Sequence, residues 1–369
     1  MEIETYLHAM VKHSASDLFF SAGAPVGIKI EGRTRHLGDH RLTPQETRQL
    51  GYSILSDKQI AAFENELEMN LSIALESLGR FRVNLYRQRG TVSMVIRYIK
   101  NEIPSIEDLN LPQILKKLIM EPRGLILVVG ATGSGKSTTL ASMIDYRNQN
   151  ASGHILTIED PIEFLHQHKK SIVDQRELGL DTLTYTNALK NAMREAPDVI
   201  LIGEIRDAET MKHAIAYADT GHLCLSTLHS NNANQTLDRV INFFPDTAHH
   251  QLFVDLSEHL RAIVSQRLVP TVEGKRVPAV EVMIRTPYVA DLILKRDIDG
   301  LKQAMKEGAQ AGMQTFDQAL LKLYQDGRIT ETEALAHSDS RNDLGLAIRM
   351  SQAHGTQDAP SGLDITQWD

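Results

Sequence analysis

The first hundred residues alternate between helical and strand-like spacing of their apolar positions. Four apolar residues recur at helical intervals and predict a first amphipathic helix: Ile3, Leu7, Met10 and Val11. Three longer segments alternate apolar and polar positions, as half-buried strands do: residues 67–75, 80–86 and 91–98. Shorter strands are predicted at residues 17–20 and 26–31, a helix after the cap residue Thr43, and a further helix beginning at Ser56. Residues 1–99 are therefore predicted to form a small α/β domain.

The pattern changes after a proline-containing linker, residues 100–122, which carries a short helix. Residues 125–129 are continuously apolar, as buried strands are, and further strands are predicted at residues 154–158, 198–202, 222–227 and 280–284, the last as an edge strand. Segments with helical spacing separate them. Alternating strands and helices predict a second α/β domain, residues 123–345, built on a mostly parallel sheet. The polar residues 346–369 are predicted to be a disordered tail.

A glycine-rich turn stands between the first of these strands and its helix. Residues 130–139 read GATGSGKSTT, which has the G-x-x-x-x-G-K-[ST] pattern of a phosphate-binding loop. The strand and helix flanks favour this interpretation over an ordinary glycine-rich loop. The residues expected to contact a nucleotide are Gly130, Thr132, Gly133, Ser134, Gly135, Lys136, Ser137 and Thr138.

Acidic residues and a histidine follow the later strands, at the edge where a parallel sheet binds its ligands. Lys136 is predicted to neutralise phosphate charge, and Ser137 and Glu204 to hold Mg²⁺. Either Glu159 or Glu163 would activate the attacking water, a choice that the sequence leaves open. His222 and His229 flank one strand and are too far apart to share a metal.

Two arginines are predicted to lie side by side on the hairpin of residues 80–98. Alternation places Arg82 and Arg97 on the polar faces of its two strands, opposite or diagonal to each other. Adjacent cations repel unless an anion joins them. The functional interpretation is a phosphate of a neighbouring subunit's nucleotide, and the alternative is a solvated strand face.

Composition narrows the class of protein. The 369 residues carry 39 basic and 47 acidic side chains, a net charge of −8, which does not favour a nucleic-acid partner. The single cysteine, Cys224, excludes a disulfide framework or a cysteine-based zinc module within one chain. The acidic start does not resemble a signal peptide, and no run of about 18 apolar residues occurs. We expect a cytoplasmic protein that associates with membranes through partners.

The motifs together resemble the secretion and type IV pilus ATPases. Residues 130–138, 157–163, 203–207 and 220–229 look like the Walker A, Asp, Walker B and His boxes of that family, and residues 79–84 match its arginine strand. The resemblance implies a PAS-like N-terminal domain, a RecA-like P-loop ATPase domain and a homo-hexamer that uses ATP and Mg²⁺. It also implies roles for single residues. Glu163 would be the catalytic carboxylate, Glu204 the Walker B acid, Arg82 and Arg97 the arginines on the γ-phosphate, and His229 the nucleotide sensor.

Two features select a branch of the family. Its assembly and secretion members carry an additional N-terminal domain and a four-cysteine zinc module, and this sequence shows neither, so it resembles the retraction branch. Residues 288–295 keep Leu292 and Ile293 but lack the two arginines of the main retraction ATPases. Residues 166–168 and 312–317 and the polar tail are most like an accessory retraction ATPase.

The implied partners are a PilT-type retraction ATPase and a PilC-like platform protein of the bacterial inner membrane, at whose inner face the chain would be peripheral. A catalytically weak coupling subunit and a secretion or pilus-assembly ATPase are the alternatives.

Overall fold

A computed structural model describes residues 2–30, 32–75, 78–99 and 102–355 of the chain. The chain forms two compact units, which we describe separately. The N-terminal unit contains Met1–Ile103 together with two later segments, Pro161–Gln167 and Glu177–Thr184. The C-terminal unit contains the remainder, beginning at Pro104.

The N-terminal unit is built on a six-stranded antiparallel sheet with the strand order β3-β2-β1-β6-β5-β4. Its helices are α1 (Ile3–Lys12), α2 (Pro44–Tyr52) and α3 (Asp57–Glu66), and its strands are β1 (Asp17–Phe20), β2 (Gly27–Ile30), β3 (Arg33–His36), β4 (Glu68–Leu75), β5 (Gly79–Gln88) and β6 (Thr91–Ile99). The predicted hairpin is confirmed, because Phe81, Val83 and Leu85 are buried and Arg82 pairs directly with Arg97. Both predicted helix starts are also confirmed, since Thr43 and Ser56 form capping boxes.

The C-terminal unit has a seven-stranded sheet with the order β13-β12-β7-β11-β10-β8-β9. Its strands are β7 (Gly124–Val129), β8 (Gly153–Glu159), β9 (Ser171–Glu177), β10 (Val199–Ile202), β11 (Leu223–Leu228), β12 (Leu260–Pro270) and β13 (Arg276–Ile284). Its first helices are α4 (Ile114–Ile119), α5 (Lys136–Asn150), α6 (Tyr185–Ala192), α7 (Ala208–Asp219), α8 (Ala233–Asn242) and α9 (His249–His259). The helices α10 (Pro287–Lys295), α11 (Ile298–Glu307), α12 (Phe316–Gln325), α13 (Glu331–His337) and α14 (Arg341–Gly355) follow the sheet.

The sheet of the C-terminal unit lies between two apolar layers. Strand β7 is buried along its whole length, and its alternate side chains belong to different core clusters. Strands β7, β8, β10, β11 and β12 are mutually parallel, and β13 is antiparallel to β12. The predicted mostly parallel sheet is therefore confirmed, with β13 at its edge.

The linker prediction differs from the structure. Residues from Pro104 onward group with the C-terminal unit, because Leu115, Leu118 and Ile119 of α4 are buried against the face of the sheet that carries α5. Residues 100 and 101 lie outside the described part of the chain.

The tail prediction needs correction for residues 346–355. Helix α14 extends to Gly355, and its Leu344 and Ile348 are buried in a cluster with Phe316 of α12. Leu344 and Ile348 lie one helical turn apart and form an apolar face that can be buried. The polar composition of the segment does not show this face. Residues 356–369 lie outside the described residues. Within the described part, no helix is both long and apolar enough to span a membrane.

Candidate nucleotide site

The phosphate loop follows the buried strand β7 and leads into α5. Gly130, Gly133 and Gly135 have positive φ angles of 152°, 77° and 93°. A Cβ at Gly130 would lie 2.5 Å from the carbonyl oxygen of Gln266, so both conformation and space require glycine there. The loop therefore turns tightly and presents backbone N–H groups at the start of a helix, an arrangement that binds phosphate.

Lys136 is the buried cation of this loop. It is only 8% exposed, and its Nζ donates hydrogen bonds to the carbonyl oxygens of Gly130 at 2.8 Å and Ala131 at 3.0 Å. Burial lowers the pKa of Lys136, and the negative charge of Glu204 acts in the opposite direction. The Ser134 hydroxyl is also buried, and it has no hydrogen-bond partner within the described residues. A buried cation and an unpaired hydroxyl in one loop fit an anionic ligand such as a nucleotide phosphate.

Glu204 is placed at the carboxyl edge of the sheet, just after β10. One carboxylate oxygen accepts from Arg206 Nε at 2.7 Å, and the other lies 3.1 Å from Nε2 of His229. Arg206 also lies 4.0 Å from Asp160. The predicted Walker B acid and the predicted sensor histidine are thus in direct contact.

Ser137 and Glu204, the two residues predicted to hold Mg²⁺, carry oxygen atoms of the kind that this cation accepts. Ser137 is exposed at the first turn of α5, and hydroxyl and carboxylate oxygens are ligands that Mg²⁺ accepts alongside phosphates and water. No group of three or more histidine, cysteine, aspartate or glutamate side chains with metal-binding geometry occurs within the described ranges. Mg²⁺ bound here would therefore take most of its ligands from the nucleotide and from water.

The two candidates for activating water differ in their surroundings. Glu159 ends β8 and its Oε1 accepts hydrogen bonds from Thr157 at 2.7 Å and from Gln175 at 3.2 Å. Glu163 is exposed on a loop of the segment Pro161–Gln167, which groups with the N-terminal unit. Because Glu159 already accepts from two side chains, Glu163 is the carboxylate with more freedom to contact a ligand.

A cavity of about 410 Å³ lies beside the start of α5. Gly135, Thr138, Thr139 and Gln266 line it, and Thr139 donates to Gln266 across 2.7 Å. Its volume is in the range of small-ligand pockets, large enough for a nucleoside next to the phosphate loop. Gln266 was not predicted as a site residue, since no strand was predicted at β12.

The predicted arginine pair has carboxylates nearby within the N-terminal unit. Arg97 Nε donates to Asp17 at 2.8 Å. Arg82 contributes to the electrostatic environment of the buried Glu177, which also lies 3.9 Å from Arg80. Burial raises the pKa of Glu177 despite these cations. The chain itself therefore supplies negative charge beside both arginines, which the sequence pattern did not predict.

Known proteins resemble this chain over nearly its whole length. Residues 3–337 match the family described as type II/IV secretion system protein. The chain belongs to this family. The matched region of this secretion family includes the phosphate loop, Glu204 and His229, so the resemblance seen in the motifs is confirmed.

Relatives in the family include motors of type IV pili. The type IV pilus ATPase PilU of Pseudomonas aeruginosa is 53% identical over 369 residues, covering 99% of this chain and 97% of that protein. The type IV pilus retractation ATPase PilT of the same bacterium is 42% identical, covering 90% of this chain and 97% of that protein. A solved structure of the pilus retraction motor PilT with bound ADP matches with a TM-score of 0.88 and 42% identity, covering 94% and 99% of the two chains.

These relatives support the ATP hydrolase prediction and the predicted α/β fold, since they are named as ATPases and one contains ADP. The type II secretion system protein E of Dickeya dadantii is 34% identical, and the match covers only 54% of that protein. The secretion alternative is therefore not favoured.

Proposed function

We propose that this chain is an ATP-driven motor of type IV pilus retraction, of the accessory type that PilU represents. The observation that carries the proposal is an undamaged phosphate loop, with buried Lys136, in a chain that is 53% identical to PilU along nearly its full length. The carboxylate of Glu204 at the carboxyl edge of the sheet supports hydrolysis as well as binding, because an acid there can hold the Mg²⁺ that phosphoryl transfer uses.

ATP would bind with its phosphates on residues 130–138 and its base in the cavity lined by Gln266. Lys136 would exchange its two carbonyl contacts for phosphate oxygens, and Ser137 and Glu204 would hold Mg²⁺. Mg²⁺, when bound, would offset the negative charge of the phosphates. Glu163 would orient and deprotonate the attacking water, with Glu159 as the alternative.

The working form would be a homo-hexamer in which Arg82 and Arg97 of one subunit contact the γ-phosphate on the next. Direct pairing of the two arginines supports this role, since one anion can reach both. Hydrolysis removes that anion and weakens the contact. ATP turnover would thereby open and close the junctions between subunits in succession.

The proposed partners are a PilT-type retraction ATPase and a PilC-like platform protein, with the ring peripheral at the inner face of the inner membrane. The accessory role rests on α10, where residues 288–295 lack the two arginines of the main retraction ATPases, and on the similarity to PilU. A catalytically weak coupling subunit would instead show a damaged site, and Lys136, Ser137, Glu163 and Glu204 are all in place.

The direct test is ATP hydrolysis by the purified chain and its Lys136→Ala variant. We expect at least about a 100-fold loss of kcat, because no other buried cation stands in the phosphate loop to neutralise the transferred group. Lys306→Ala, which removes an exposed lysine of α11, is the matched control and should keep the parent rate. Equal rates for Lys136→Ala and the parent chain would disprove the assignment.

A further inference from the structure

Asp17 is a carboxylate in an unusually buried position. It begins β1 and is only 3% exposed. Burying a carboxylate is costly unless it is paired and hydrogen-bonded, so a buried acid at the start of a short strand calls for identified partners.

Three side chains lie next to the carboxylate of Asp17. Oδ1 accepts from Arg97 Nε at 2.8 Å, and Oδ2 accepts from the Ser16 hydroxyl at 2.8 Å. Lys29 Nζ lies further away, at 3.9 Å from Oδ2. The contact with Arg97 is fixed by strand pairing, because Asp17 of β1 stands directly opposite Arg97 of β6.

Arg97 uses only its inner nitrogen in this contact. Its side chain is 55% exposed, and within the described residues its two terminal nitrogens make no hydrogen bond. Arg87 on the same sheet is different, since its terminal nitrogens contact Glu64 and the Gly90 carbonyl and its side chain is 26% exposed. Arg97 is thus held at its base while both terminal N–H₂ groups remain open to an outside acceptor.

We propose that Asp17 is a positioning residue that orients the guanidinium of Arg97 toward the γ-phosphate of the neighbouring subunit's nucleotide. The inference rests on the proposed role of Arg97 in that contact. Asp17 also offsets the repulsion between Arg97 and Arg82, which face each other across the hairpin. Without the carboxylate, Arg97 would sample several rotamers and turn away from Arg82, and fewer of these conformations would reach the phosphate.

A double-mutant cycle on the full chain tests this coupling. The variants are Asp17→Ala, Arg97→Ala and the double variant, measured as kcat and KM for ATP. We expect kcat to fall at least about 100-fold for Arg97→Ala and about tenfold for Asp17→Ala. The double variant should match Arg97→Ala alone, because Asp17 has nothing to position once the guanidinium is gone. KM should change by less than about threefold, since the phosphate loop holds ATP.

Two further variants separate positioning from folding. Lys29→Ala removes the longer contact of Asp17 and should keep the parent kcat. Asp17→Asn retains a carbonyl oxygen for Arg97 Nε, so its Tm should fall less than that of Asp17→Ala and its kcat should lie between those of the parent and Asp17→Ala. It also replaces Asp17→Ala in the cycle if that variant does not fold. Mixing Asp17→Ala subunits with Lys136→Ala subunits should restore part of the activity, as it should for Arg97→Ala subunits.

The measured kcat values show which claim is wrong, the role of Arg97 or the role of Asp17. A parent kcat for Arg97→Ala would disprove the arginine's role and the inference with it. A reduced kcat for Arg97→Ala with a parent kcat for Asp17→Ala would overturn only the inference. Additive losses in the double variant, or no restoration by Lys136→Ala subunits when Arg97→Ala subunits are restored, would likewise overturn it.

Discussion

Lys136 shows how one residue prepares the loop for its ligand. Its ammonium group is largely removed from water and satisfied by two neutral carbonyl oxygens. Phosphate oxygens carry negative charge, so they attract the ammonium group by a charge–charge interaction that neutral carbonyl oxygens do not offer. Burial strengthens the difference, because the electrostatic interaction is less screened than in water. The loop therefore favours an anion over its own backbone.

The Glu204→Gln variant tests the carboxylate at the carboxyl edge of the sheet. The amide cannot place an oxygen beside both Arg206 and His229 as the carboxylate does, and it gives Mg²⁺ no negative charge. We expect kcat to fall about 100-fold while ATP binding, followed by fluorescent-nucleotide titration, stays within about threefold. The exposed acid Glu209, changed to Gln, is the control and should behave as the parent. A parent kcat for Glu204→Gln would show that another acid serves the metal.

Residues of the phosphate loop could be predicted because the motif is local in sequence. Asp17 and Gln266 could not, because each acquires its partner through a strand pairing between distant parts of the chain. Asp17 meets Arg97 across β1 and β6, and Gln266 meets Thr139 only where β12 lies beside β7.

At the scale of elements, β12 contacts α5 directly and the start of α8 through Glu281. Gln266 contacts Thr139 on α5, while its neighbour Ser265 donates to Glu281 at 3.1 Å. Glu281 also accepts from the backbone N–H of Ala233 at 2.8 Å, at the start of the helix that follows His229. The buried carboxylate thus holds the start of α8 beside β12 and β13.

Glu281 should make folding stability depend on pH. The pKa of Glu281 is raised to about 7: burial is the largest cause and Asp339 also raises the pKa, while the accepted hydrogen bonds and Arg267 lower it. The folded chain therefore binds this proton more tightly than the unfolded chain, so the contribution is complete below about pH 4.5 and is lost as the pH rises toward 7.

Glu281→Gln keeps a carbonyl oxygen for both donors and cannot ionise. Its free energy of unfolding relative to the parent should rise between pH 4.5 and 7, by at most roughly 1.4 kcal/mol per pH unit. Urea unfolding of both proteins across that range measures the difference, with the exposed Glu273→Gln as control. A difference that stays constant with pH would contradict the ionisation of Glu281.

Helix α14 permits a matched comparison of two apolar positions. Ile348 is fully buried, whereas Leu346 is 52% exposed on the same helix. Ile348→Ala should lower the free energy of unfolding by about 2–4 kcal/mol, since it leaves a cavity in the cluster around Phe316. Leu346→Ala should change it by less than about 0.5 kcal/mol in the same urea titration. Equal effects of the two variants would show that α14 is not packed as described.

The helices and strands that could be predicted from the sequence are those with a regular alternation of apolar and polar positions or with a capping residue. The hairpin β5–β6 and the capped helices α2 and α3 were predicted because their signals are local. Strand β3 is short and exposed along its length, and β12 begins directly after α9 with no turn residue between them, so neither was predicted. Their pairing partners, not their own patterns, make them strands.

At the scale of the whole molecule, the proposed chemical groups are divided between two compact units. Lys136, Glu204 and His229 belong to the C-terminal unit, and Arg82 and Arg97 to the N-terminal unit. The sequence indicated two α/β domains, but not that Pro161–Gln167 and Glu177–Thr184 group with the first. Grouping of that kind depends on contacts between segments far apart in the chain, which no local pattern encodes. A division of the groups between units is what a motor needs if ATP turnover is to move one unit relative to another.

Retraction of labelled pili in living cells tests the central claim most directly. Cells without native retraction ATPases would receive this chain alone, a PilT-type ATPase alone, both proteins, or the PilT-type ATPase with the Lys136→Ala variant. An accessory motor predicts no retraction with this chain alone, and faster or more frequent retraction with both proteins than with the PilT-type ATPase alone. The Lys136→Ala variant should abolish that gain. Retraction by this chain alone, or an equal gain with the Lys136→Ala variant, would contradict the proposed function.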